Sequence, residues 1–398
     1  MALAAIALRL PFAAQTLWNG QVSRLALAIA DPTAAGVPYA AGLLPVARIL
    51  HAVEVDPVAI IVWLGIAAGA IAAAATYVSA RALAGVWPAR LAAAASVTFP
   101  PLWLASATGT MLVYVALASA LLGLTLVFLS ARRSRVLAGP VALLTLWAAL
   151  AIPFQPHAAV ALPPEFFAVG LWLVPLAAFG AWTLLRDRSV RPAVAAMATW
   201  LALAAAYLVL RPGSEGAVGL AMPLVVLAAR GGAALAVPLD PATRRRLVAV
   251  AGIGVLVLGS AFAFGAGRSS AGAIVRHDLA LQAQLAYVRA HYAVTDTVVL
   301  ARRSAGQVRY YLPEYPMSRE RAADARGLAR LRATVARARV VVWLDGSWSA
   351  MHVPVERIAI GAGAQLAVAD ASVVAAALGP ELLATAAANE DDEALDAN

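Results

Sequence analysis

The side chains able to act on a substrate are few, and most sit in short connections between long apolar runs. Glu54-Val55-Asp56 has acidic-x-acidic spacing, which could hold a divalent cation through oxygen ligands. Pro57 and an apolar run follow at once, so the same acids also suit the positive end of a helix dipole. Gln155-Pro156-His157 opens a connection that closes on Pro163-Pro164-Glu165. A His and a Glu at one membrane face could exchange protons with a substrate; a hydrogen-bonded structural His is the plainer reading. Arg24 and Arg48 carry the planar fork that holds phosphate by paired hydrogen bonds, and each also suits an interface where its stem lies along apolar surface. Arg309-Tyr310-Tyr311-Leu312-Pro313-Glu314-Tyr315-Pro316 is the most distinctive short run of the C-terminal part. Read as a strand, it puts Arg309 and Tyr311 on one face and Tyr310 on the other. Its aromatics fit a membrane interface, a sugar-stacking surface or a strand end packed on a core. There is no phosphate-cradling P-loop, no Ser–His–Asp signature and no His-x-x-x-His spacing. The absence of cysteine removes disulfides, thiolate nucleophiles and Cys-type metal sites.

The elements that must position these groups are membrane helices. Of 398 residues, 63% are hydrophobic and only 13% charged, where a soluble domain carries about 25% charged residues. Apolar runs near 58–80, 91–106, 111–130, 136–152, 166–185, 193–210, 217–237 and 247–264 each approach the roughly 20 residues that span a bilayer core. Only a helix satisfies its own backbone there. The net charge is +9 and every basic residue is Arg. Arg81, Arg90, Arg132, Arg133, Arg135, Arg186, Arg188, Arg191, Arg244, Arg245 and Arg246 fall on alternate connections, against Arg211 alone on the others. The positive-inside rule explains that bias without nucleic acid, and puts the arginine-rich connections in the cytoplasm. The region from Gly267 onward is then outside. So is 17–56, provided that Met1–Thr16 crosses once; that segment lacks a basic start and a cleavage site and reads as a short or truncated first span.

Within 17–56, Asp31-Pro32 breaks the stretch into two helices suited to the outer interface, or partly re-entrant, unless one half is a true span. In the run 91–106, Phe99-Pro100-Pro101-Leu102-Trp103 either kinks a helix beside a cavity or ends it early near Thr98. After Gly267 the pattern changes. A helix is expected over 278–291, strands over 297–302 and 307–312 with a turn at Gly306, an Arg-rich amphipathic helix over 319–338, and a strand over 340–344. Two more strands are expected over 357–360 and 365–368. The expected organisation is a mainly α, polytopic bundle of about 8–9 spans over 1–266, with 17–56 as first outer loop. A small extracytoplasmic α/β domain follows over 267–378, and an acidic disordered tail over 379–398.

Several short runs resemble the GT-C superfamily of membrane glycosyltransferases, which includes protein O-mannosyltransferase-like and aminoarabinose-transferase-like proteins. Leu17-Trp18-Asn19-Gly20-Gln21-Val22 followed by Ala26-Leu27-Ala28 resembles its Leu-Trp-Asn-Trp-Asp-Ser followed by Ala-Leu-Ala. Asp31-Pro32 resembles the next Asp-Pro, and Gly36-Val37-Pro38-Tyr39 the following Gly-Tyr-Pro-Leu-Tyr. Trp87-Pro88-Ala89-Arg90 through Phe99-Pro100-Pro101 resembles the cytoplasmic turn and proline-containing third span. Thr297-Val298-Val299-Leu300 with Tyr310-Tyr311-Leu312-Pro313-Glu314 resembles the start of the outer domain. The resemblance implies a carboxylate in the first outer loop that activates or positions an acceptor hydroxyl for attack on a lipid-phosphate-linked sugar. The chain departs from the pattern at that point: Gln21 stands at the acidic position, and Thr33-Ala34-Ala35 replaces a His-Pro-Pro. An amide keeps hydrogen bonds but takes no proton near neutral pH.

Three functions follow as expectations. The first is transfer of a sugar from a polyprenyl-phosphate donor to an acceptor at the outer face of a bacterial plasma membrane. Asp31 would act on the acceptor, Arg24 and Arg48 would neutralise phosphate, and Tyr39, His157 and Glu165 would contact substrate. The sequence identifies no cofactor with certainty, and a divalent cation could take part. The second is a non-catalytic relative that binds lipid-linked glycan or scaffolds the membrane, which Gln21 favours. The third is a transporter, which would need paired broken helices around a midplane site; one proline-broken span has no partner in the sequence.

Overall fold

The structure, a computed structural model, describes residues 2–7, 20–31, 42–98, 112–130, 135–152, 164–187, 191–211, 214–237, 271–301, 305–319, 325–344, 353–361 and 364–378, with isolated stretches between 240 and 257. The chain divides into two compact units: Met1–Ala14 with Pro38–Ala271, and Gln15–Val37 with Gly272–Asn398.

The first unit is a helix bundle: α1 (Ala2–Ala7), α3 (Leu43–His51), α4 (Pro57–Ala84), α5 (Val86–Thr98), α6 (Leu112–Ser130), α7 (Arg135–Leu150), α8 (Pro164–Arg186), α9 (Arg191–Leu210) and α10 (Ser214–Leu235). The label α2 is kept for Gly20–Ala30, which belongs to the second unit. Among the described residues four helices are long and apolar enough to cross a membrane, 57–84, 112–130, 192–210 and 216–235, and two shorter apolar helices accompany them. The chain is a polytopic membrane protein, as its apolar runs imply. Helix α10 is the hub and packs on α5, α6, α8 and α9. One hydrogen-bond relay links three helices at depth: Trp200 Nε1 donates to Ser119 Oγ at 3.2 Å, and Ser119 Oγ donates to the Gly219 carbonyl at 2.7 Å. Pairing buried donors in this way avoids a desolvation cost where water is absent. Outward positions of α7 and α9, such as Val136, Leu143 and Val209, stay exposed and apolar, the arrangement of helices solvated by lipid.

The turn between α3 and α4 explains the acidic pair. Glu54 adopts a left-handed φ of 63°. Asp56 is the N-cap of α4, its Oδ2 accepting from the Ala59 N–H at 3.0 Å, with Pro57 at the first helical position. The helix-start reading of Glu54-Val55-Asp56 therefore describes Asp56. Replacing Asp56 by Ala is expected to cost about 1 kcal/mol of stability, read as a modest loss of thermal midpoint in detergent; an unchanged midpoint would mean that water caps α4 equally well.

The second unit is an α/β domain built on a five-stranded sheet of order β2-β1-β3-β5-β4. Its elements are α11 (Ala271–His291), β1 (Thr297–Ala301), α12 (Ala305–Tyr311), β2 (Met317–Arg319), α13 (Ala325–Val335), β3 (Val340–Trp343), β4 (Glu356–Gly361), β5 (Ala364–Asp370) and α14 (Ala371–Ala377). Strand β1 pairs in parallel with β2 and β3, while β5 runs antiparallel to β3 and β4. Every residue of β1 is buried, as a central parallel strand covered on both faces requires. Val298, Leu300, Val341 and Trp343 pack with Leu331, Val335 and Val374 on one face. Val299, Ala301 and Val342 pack with Leu281, Leu285, Val288 and Val308 on the other.

One expectation is overturned here. Residues 307–312, read as a second strand, lie mostly in helix α12. Parallel pairing of β1 with β2 needs a crossover, which a hairpin at Gly306 could not supply. Val308 and Leu312, four residues apart, are both fully buried, so the period is helical, and the alternation assigned to Arg309, Tyr310 and Tyr311 does not apply. Arg319 closes β2 rather than opening the amphipathic helix. The strands expected at 297–302, 340–344, 357–360 and 365–368 are present within a residue or three at each end.

Candidate functional site

Of the assigned residues, Gln21, Arg24 and Asp31 belong to α2 and its end. This 11-residue helix buries Val22, Ser23, Leu25, Ala26, Ala28 and Ile29 and packs against α12 within the second unit. The break expected at Asp31-Pro32 falls where α2 ends. The Asp31 N–H still donates to the Leu27 carbonyl at 2.8 Å, and the residue is exposed. An exposed carboxylate at a helix end can accept a proton or position a hydroxyl. Gln21 and Arg24 lie on α2, and positions 24 and 31 are two helical turns apart. Tyr39 and His157 lie outside the described residues, as does the Phe99–Trp103 proline run. Glu165 falls in the first turn of α8.

Arg48 is placed by a different device. It sits half-buried in the last turn of α3. The start of α3 is stapled to α7: the Gly42 N–H donates to the Leu150 carbonyl at 3.2 Å, and Trp147 Nε1 donates to the Gly42 carbonyl at 3.0 Å. A Cβ at position 42 would lie 2.8 Å from the Trp147 carbonyl oxygen, so only glycine permits this approach. The far end of α3 is closed by His51, whose Nδ1 lies 2.9 Å from the Val55 carbonyl oxygen. His51 thereby fixes the turn into α4. Among the described residues no three His, Asp or Glu side chains gather as a metal site.

Two polar groups escape a loop-centred reading of the sequence. Tyr114, on α6, is buried edge-on against Trp147 with ring centroids 6.4 Å apart, and among the described residues its hydroxyl has no hydrogen-bond partner. A buried orphan costs about 1–3 kcal/mol. Tyr114→Phe is therefore expected to leave the protein as stable or up to about 1 kcal/mol more stable, measured by thermal unfolding in detergent; a marked loss would reveal a partner for the hydroxyl. The second group is Arg230, inside the apolar run 217–237. It donates from Nη1 to the Leu83 carbonyl at 2.7 Å, from Nε to Thr183 Oγ1 at 3.3 Å and from Nη2 to Asp187 Oδ2 at 3.3 Å. An ionisable residue inside a span is a functional signal in its own right, and that signal was available from the sequence.

A scan of protein-family models and a search of curated proteins find no match to this chain. Solved structures do match. The crystal structure of ArnT from Cupriavidus metallidurans bound to undecaprenyl phosphate is 13% identical, with a TM-score of 0.57 over 96% of this chain and 98% of that one. The same protein in the apo state is 13% identical, with a TM-score of 0.58 over 95% and 98%. At that identity the likeness shows the fold. The chain shares the fold of that protein.

Proposed function

We propose that this protein transfers a sugar from a polyprenyl-phosphate donor to an acceptor at the outer face of a bacterial plasma membrane. The observation that carries the reading is the packing of α2 on α12 within one compact unit. A helix of the first loop and a helix of the C-terminal domain then share one side of the membrane. The arginine bias favours the outer side. Support also comes from the full-length likeness to a protein solved with undecaprenyl phosphate. In this reading Asp31 acts on the acceptor hydroxyl. Arg24 and Arg48 neutralise the phosphate that leaves with the lipid, and Tyr39, His157 and Glu165 line the substrate path. The reading is tested by reconstituting the protein in vesicles with radiolabelled polyprenyl-phosphate sugars and following label into acceptor. Impermeant labelling of single cysteines placed at positions 31 and 314 in intact cells tests the compartment. Labelling of either only after the bilayer is breached would overturn the topology, and with it the reaction.

Gln21 favours a second reading, a protein that binds the lipid-linked sugar without transferring it. Its signature is donor binding without turnover, and no gain when Gln21 is changed to Asp.

A further inference from the structure

A cavity of about 700 Å³ opens at the end of the bundle where α4 turns into α5 and where α8 and α10 finish. It lies wholly within the first unit and takes no part in the proposed transfer. Its charged lining is Arg186, Arg230 and Asp187, two cations against one anion. Arg230 is held in place: its side chain is only 16% exposed and is tied to Leu83, Thr183 and Asp187. Those bonds use three of its five N–H donors. The Arg186 guanidinium lies over the Trp182 ring, 4.3 Å from its centre. At the rim the Arg90 guanidinium lies over Trp87, 4.6 Å from the ring centre. Tryptophans paired with arginines are the groups that settle at the headgroup level of a membrane.

The remaining wall is apolar and continues outward. Val86, Trp87 and Val237 line the cavity and are 41%, 38% and 62% exposed. A soluble anion would need only the arginines, whereas an apolar exposed rim suits a ligand that carries a chain beside its charge. Arg81 and Arg90, both exposed, flank the lining segment 84–88 in sequence and mark this as the arginine-rich, cytoplasmic end. The cytoplasmic leaflet is the one rich in anionic lipid, and basic pockets between membrane helices on that side take such headgroups.

We propose that this cavity is a binding site for an anionic phospholipid of the inner leaflet, its phosphate held between Arg186 and Arg230 and its chains lying along Val86 and Val237. The site is separate from sugar transfer, so it stands or falls whether or not the chain is an enzyme.

The test is native mass spectrometry of the full-length protein released from nanodiscs of phosphatidylglycerol and phosphatidylcholine mixed in equal amounts. The wild type should retain phosphatidylglycerol preferentially. Arg186→Gln should weaken that preference roughly fivefold, and Arg211→Gln, at the opposite end, should leave it intact. Ala233→Glu adds a carboxylate to the cavity wall while leaving both arginines in place, and should also weaken the preference. Equal retention of the two lipids by the wild type would overturn the proposal. So would an unchanged preference in both cavity variants. Inorganic phosphate that competes the lipid away at comparable concentration would mark a soluble-anion site instead, and would overturn it too.

Discussion

Gly231→Val is expected to stop α8 and α10 from closing on each other and to leave little correctly assembled protein. The two helices touch through backbone. A Cβ at Gly231 would fall 2.1 Å from the Leu176 carbonyl oxygen, and one at Gly180 would fall 1.9 Å from the Leu227 carbonyl oxygen. The contact is therefore reciprocal, each glycine lying against the other helix's main chain. Inserting atoms into a packed core costs about 1–3 kcal/mol where side chains can give way. Here the obstacle is a carbonyl in a rigid helix, so the cost should reach about 3 kcal/mol or more, a large share of a net stability of about 5–15 kcal/mol. Without a strong hydrophobic drive between helices in lipid, close backbone packing is what holds them. Helix α10 also packs on α5, α6 and α9, so the damage should spread through the bundle. Size-exclusion profile and thermal midpoint in detergent give the readout. Gly139→Ala is the control, since a Cβ there meets nothing within 4 Å. A Gly231→Val protein that eluted and melted like the wild type would show that the helices can separate without penalty.

The second large effect concerns Asp31. Its conversion to Asn is expected to lower sugar transfer by about 10²–10⁴-fold, the usual contribution of a positioned acid–base group. Asp31 is exposed at the end of α2, so the fold should survive the change, and donor binding should move little. The readout is initial rate against donor retention, measured on the same vesicles. Unchanged transfer would remove Asp31 from the reaction. Transfer gained by Gln21→Asp, alone or beside Asp31→Asn, would move the acid to position 21, where the resemblance puts it. Loss of transfer together with loss of donor binding would make Asp31 a binding group instead.

Much of the architecture was legible because membrane spans announce themselves locally. The ends of α4, α6, α7, α8, α9 and α10 fall within a few residues of the apolar runs, since a run of that length in lipid has only one backbone solution. The break between the two helices of the first loop followed from Asp31-Pro32. What escaped depends on partners far away in sequence. The run at Arg309-Tyr310-Tyr311 reads as a strand by its aromatics, yet the parallel pairing of β1 with β2 makes it a helix. Strand β2 is three residues long, too short for any periodicity. Arg230 stands as a lone arginine inside an apolar run, but its partners Leu83, Thr183 and Asp187 lie 43 to 147 residues away. The glycines of α8 and α10 carry no local sign that they face each other. For the site itself, Gln21 and Asp31 could be read from the chain, but the partnership of α2 with α12 could not.

That partnership has a bearing on how the protein is made. Helix α2 emerges from the ribosome early, with Val22, Leu25 and Ile29 still unshielded, and α12 follows about 275 residues later. At ordinary translation speeds that is a wait of roughly 15–55 s. Through that interval the nascent chain must keep a greasy helix soluble or parked on lipid. A premature stop before residue 305 would strand it for good, which makes late nonsense variants good substrates for membrane quality-control proteases.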